Sequence, residues 1–179
     1  MKQLPYLPRR RPPLSGEFLF YVDGLDRPPI IVPNRVVSEG KDVLLKMMWQ
    51  GDGSVVAAGG NYYAGLCNQA PASDGSDTLS TISTEVPVAH NYARIALTRD
   101  AVGFPTITTV NGKKVIQSKV ITFSASGGDF NSAFTRAFLC TSASGSGGKL
   151  ISFSGALSAA LTLLSGQSFP MQYQFYFDP

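Results

Sequence analysis

At 179 residues the chain is long enough for one domain with a substantial core and short for two. Only 15% of its residues are charged and 44% are apolar, which excludes a chain held open by its own charge. The net charge of +3 sits entirely in residues 1–35, while the remainder carries nine basic and nine acidic side chains. That neutral body lacks the basic face that tracking a nucleic-acid backbone requires.

Residues 1–35 hold seven of the twelve prolines and the run Arg9-Arg10-Arg11. Proline fixes φ and removes a donor, so the stretch reads as an extended anchoring arm with polyproline II character. Within it, Glu17 to Val22 is strand-like. Arg9, Arg10, Arg11, Phe18, Phe20 and Tyr21 are the candidate partner-binding residues, the arginines supplying charge and the aromatics buried area. No apolar run follows the N-terminus that could serve as a signal-peptide core. Gly155 to Leu164 is too short and serine-rich to span a bilayer. The expectation is a protein made in a cytoplasm, with no membrane contact.

Residues 36–179 read as one folded domain. Its helix is expected over 38–50, with Ser38 as N-cap, Glu39 in the first turn and Val43, Leu44, Met47 and Met48 on one apolar face. Beyond Gly53, short β-rich runs alternate with turn clusters. Strands are expected at 62–67, 92–98, 106–110, 113–117, 120–123, 134–141, 149–154 and 169–177. Asn111-Gly112 is the strongest hairpin signal, because both central residues of a type I′ turn need positive φ. Phe169, Met171, Tyr173, Phe175 and Phe177 alternate onto one face. The fold class is mainly β: an antiparallel β-sandwich, jelly-roll or immunoglobulin-like, with one short helix behind the arm.

The sequence carries little that could do chemistry, and the chain reads as no enzyme, with no cofactor. The only histidine, His90, precedes a strand and has no nucleophile elbow near it. Asp74 and Asp77 share a loop but lack the further oxygen ligands of a calcium site. Ala143 to Leu150 ends in Gly-Lys yet misses the first glycine and the hydroxyl of a phosphate loop. Cys67 and Cys140 each read as a small buried hydrophobe, with a disulfide between them left open.

The order of landmarks adds a resemblance. Asn34-Arg35-Val36-Val37-Ser38-Glu39-Gly40 leads into the helix, Tyr63-Ala64-Gly65-Leu66 follows, and then Asn91-Tyr92-Ala93-Arg94-Ile95-Ala96-Leu97. This resembles small virion structural proteins of tailed bacteriophages, over residues 34 to about 99 and more vaguely beyond. The resemblance implies a non-enzymatic component of head, collar or tail, such as a tail-fibre-like or capsid-decoration protein. Its partners would be other virion proteins and copies of itself, with a trimer favoured. A carbohydrate-binding module is the alternative, for which Trp49, Tyr62, Tyr63 and Tyr92 are the candidate aromatics.

Overall fold

The computed structural model describes residues 14–22, 26–50 and 60–177. Ten strands form one antiparallel sheet: β1 (Leu14–Phe20), β2 (Ile30–Val36), β3 (Asn61–Cys67), β4 (Ile95–Thr98), β5 (Thr106–Val110), β6 (Lys113–Gln117), β7 (Ile121–Ser124), β8 (Arg136–Cys140), β9 (Leu150–Ser154) and β10 (Ser168–Phe177). Their order is β4-β3-β8-β9-β2-β1-β10-β6-β5, and β7 also pairs with β10. The mainly β, antiparallel reading with one helix holds. The arrangement is a single sheet curled into a half-barrel, where two stacked sheets were expected.

The strands placed in the arm account for that difference. β1 pairs with β10 along its whole length and with β2 on its other side, while β2 pairs with β9. These two strands splice what would otherwise be two four-stranded halves. β1 and β2 are therefore part of the domain, and the arm boundary at 35 is corrected. Phe18 and Phe20 are fully buried in the domain's own core. Phe18 meets Tyr173 edge-on at 5.0 Å, and Phe20 stacks on Phe169 at 5.5 Å. Pro33 had argued against a strand. Its carbonyl accepts a bond from the Gly155 N–H at 2.7 Å. In a strand the N–H and C=O of one residue point the same way, so the missing donor of Pro33 faces past the end of β9. The Gly155 carbonyl that would face it accepts instead from the Ser154 hydroxyl at 2.7 Å, so the lost bond is replaced.

The trough of the sheet holds the main core, including Phe18, Phe20, Val32, Leu66, Leu139, Phe169, Met171 and Tyr173. Behind β3, β8 and β9 lies a second cluster with Val37, Cys67, Leu79, Phe138, Cys140, Leu150 and Phe153. Strand alternation sends Leu139 to one side and Phe138 to the other. On β9 the register slips between Leu139 and Cys140, since Leu139 faces Ser152 while Cys140 faces Leu150. Ile151 is the extra residue of this β-bulge, which aims both Ile151 and Ser152 into the trough.

Helix α1 spans Ser38–Leu45 and continues as a wider π turn over Lys46–Gln50. The N-cap is Val37, without a side-chain bond, and Ser38 is the first helical residue. Glu39 links the helix to its neighbours: its carboxylate accepts from the Leu150 N–H at 2.8 Å and from Lys149 Nζ at 3.0 Å. Val43 is buried, and Met47 packs against the main core.

The Asn111-Gly112 hairpin forms as expected, with φ of 50° and 78° joining β5 to β6. Phe169, Met171 and Tyr173 enter the core from β10, and Phe175 packs beside them.

Candidate functional site

The curled sheet leaves part of its trough unfilled. Leu139, Ile151, Tyr173 and Phe175 form the floor of a cavity of about 430 Å³, and Ile107 and Ile116 of the β5–β6 hairpin form one wall. The opposite lip is built from Tyr62 and the loop carrying Arg99, Asp100 and Phe104. Tyr62 and Phe104 meet edge-on at 6.2 Å, and the Arg99 guanidinium lies 5.7 Å from the Tyr62 ring centre. Asp100 Oδ1 accepts bonds from the Thr98 hydroxyl at 2.7 Å and from the Val102 and Gly103 N–H groups at 2.9 Å. The Gly103 and Thr98 bonds hold its carboxyl below the usual range. Burial pushes the Tyr62 phenol up, against the opposing charge of Arg99. The Tyr62 hydroxyl lies 3.9 Å from Met47 Sδ. Asp100 thus anchors the lip, and the remaining surface suits an apolar group.

A polar cluster lies behind the sheet. Arg94 Nε donates to Glu85 Oε1 at 2.8 Å, and its terminal nitrogen donates to Oε2 at 2.6 Å. The Tyr92 hydroxyl donates to Glu85 Oε1 at 3.0 Å and accepts from the Leu66 N–H at 2.9 Å. A further Arg94 nitrogen donates to the Ser142 carbonyl at 3.0 Å. Arg94 also lies 5.3 Å from the centre of the Phe138 ring. Burial alone would lower the guanidinium, but the bond to Glu85 and the nearby Cys140 sulfur raise it. Burial, with Glu85 adding, raises the Tyr92 phenol. Neither group exchanges protons near neutrality, and the cluster ties β3, β4 and β8 together.

Cys140 lies beside it, its thiol raised to about 11, first by burial. Cys67 is raised to about 12 for the same reason. Both are free and buried. Cys67 is opposite Arg136 and Cys140 opposite Tyr63, so about four residues of strand, roughly 13 Å, separate them. A disulfide cannot span that distance.

The other candidate residues are dispersed. Arg9, Arg10 and Arg11 lie outside the described residues. Tyr21 is half-buried, and its hydroxyl donates to Gln172 Oε1 at 2.6 Å. His90 sits in a turn with φ of 50°, its ring against Gly128. Asp74 accepts from the Ser76 N–H, and Asp77 from the Ala72 N–H at 2.7 Å, so each organises its own loop. Among the described residues no three metal-binding side chains gather. The Gly-Lys segment is an irregular loop between β8 and β9, and its Lys149 pairs with Glu39. Of the four candidate sugar-binding aromatics, Tyr62 lines the cavity, Tyr63 packs on the rear cluster and Tyr92 is buried, while the Trp49 side chain lies outside the description.

Sequence reasoning missed Phe104, Ile107 and the cavity itself. They meet only through the curl of the sheet, which leaves no short-range signal. No family model, no curated protein and no solved structure matches the chain.

Proposed function

We propose that the chain is a non-enzymatic structural component of a bacteriophage virion, belonging to its head, collar or tail. The observation that carries this reading is the use made of the landmark residues. Glu39 holds the β9 backbone, and Gly40 lets the helix approach so closely that a Cβ there would lie 2.1 Å from the Ile151 carbonyl oxygen. Gly65 leaves room for the Phe138 ring. Tyr92 and Arg94 both grip Glu85. Each of these five residues maintains a scaffold, as a structural role requires. The neutral body and sparse charge suit a surface covered by neighbours in an assembly.

Attachment then falls to residues 1–13, which carry Arg9, Arg10 and Arg11, since Phe18 and Phe20 belong to the core. Their charge-assisted contacts would be made with another virion protein. A carbohydrate-binding role is weaker, because Tyr62 alone of its described aromatics faces the cavity and the floor is apolar. Immunogold labelling with an antibody raised against the purified chain tests the proposal. Gold should decorate intact particles at one repeated position, and labelling confined to unassembled material would refute it.

A further inference from the structure

The outer strands of the sheet are finished differently. β4 packs beside β7. β5, Thr106-Ile107-Thr108-Thr109-Val110, pairs among the described residues with β6 alone. It carries no charge and no proline, and Ile107 is 70% and Val110 50% exposed. Natural edge strands are usually protected by such residues or by a cover.

The two-residue loop makes Val110 and Lys113 a hydrogen-bonded pair, so Val110, Thr108 and Thr106 turn their backbone groups toward β6. Ile107 and Thr109 therefore direct their N–H and C=O groups outward. We propose that β5 is a self-association edge whose partner is β5 of a second copy of this chain, paired antiparallel about a two-fold axis at Thr108. In that register Ile107 faces Thr109 of the second copy, and Thr109 faces its Ile107. Each such pair closes two backbone bonds, so all four outward donors and acceptors are satisfied. Thr108 faces its own copy as a non-bonded pair, where side chains approach closest.

The chemistry of the strand favours a second copy over another partner. Every position is β-branched, so each opposed pair joins two residues that pack well across a sheet, and no charge opposes a like charge. Ile107 also lines the cavity wall. Pairing would bring the two Ile107 side chains onto one continuous face and cover the exposed cavity lip on both copies. The edge closes at two copies, because a self-complementary contact consumes itself. It thus differs from the three-fold assembly that the phage resemblance suggested. It does not depend on the virion reading.

Sedimentation velocity of the full chain up to about 0.5 mM, where contacts of this size become populated, tests it. The wild type should show a reversible monomer–dimer equilibrium. Thr108→Lys and Thr108→Glu, which place like charges at the axis, should each weaken the dimer at least about fivefold. Mixing the two variants should restore it as a heterodimer. Near-ultraviolet circular dichroism checks that the variants remain folded, and Thr109→Pro, which removes an outward donor and no bond to β6, serves as a second disrupting variant. A wild type that stays monomeric or forms trimers, or a mixture that fails to associate, would overturn the proposal.

Discussion

Arg94 holds Glu85 through two parallel hydrogen bonds of 2.8 and 2.6 Å, and the arginine side chain is only 4% exposed. Removing one partner from a buried pair leaves the other charge without compensation. Arg94→Ala should cost about 3 kcal/mol, read as a lower urea midpoint. Replacing both residues, Arg94→Met with Glu85→Leu, should cost less than Arg94→Ala alone. An unchanged midpoint for Arg94→Ala would show that the pair holds nothing.

Gly40 and Gly65 mark two points where backbone or ring comes too close for a side chain. A Cβ at Gly65 would lie 2.3 Å from the Phe138 ring, and one at Gly40 still nearer to Ile151. Gly40→Ala meets immovable backbone and should lose about 2 kcal/mol. Gly65→Ala meets a ring that can tilt and should lose less. Thermal melts of the two variants check the order.

At the hairpin, Gly112 has φ of 78° and open space around it. Gly112→Val therefore isolates backbone strain from packing. It should cost about 1 kcal/mol or more, since a β-branched residue resists positive φ. Calorimetry measures this, and an unaltered melting temperature would contradict the turn geometry.

Buried thiols should make the fold sensitive to alkali. Cys67 is raised from the ordinary 9.0 to about 12, and Cys140 to about 11. Below pH 9 both states keep their protons, and the stability is full. Above it the unfolded chain ionises first, so stability falls as pH rises toward 11 and 12. Tyr173, raised by burial from 10.0 to about 12, adds to the loss. Unfolding free energies from urea titrations at pH 8, 9, 10 and 10.5 should decline by about 4 kcal/mol across the window. The double variant Cys67→Ala with Cys140→Ala should flatten the part between pH 9 and 10.

Much of this fold was legible in the sequence for identifiable reasons. Alternation in 169–177 and the Asn-Gly turn are short-range signals, and both correspond to observed elements. The helix was legible from the spacing of Val43 and Met47. β2 was not, because Pro33 argues against a strand until its missing donor is seen to face past β9. β1 was recognised as strand-like in Glu17 to Val22, yet its partner β10 lies some 150 residues away, and no local pattern reveals that pairing. The same blindness to distant pairing hid the cavity, whereas Arg94 and Glu85 lie only nine residues apart and no periodic pattern marks them as a pair.

A chain beginning at Val36 lacks β1 and β2, exposes the trough face of β10 and separates the halves of the sheet. It should be insoluble or lack a cooperative melt. A chain beginning at Pro13 keeps all ten strands and should melt cooperatively, as circular dichroism would record. A stable, soluble fragment from Val36 would return β1 and β2 to the arm.

Quantitative mass spectrometry of density-banded particles, compared with the unbanded supernatant, tests the central claim most directly. The chain should appear in the particle band at a fixed ratio to the major capsid or tail protein, and a version beginning at Pro13 should be absent from the band although folded. Recovery of the full chain only from the supernatant would contradict it.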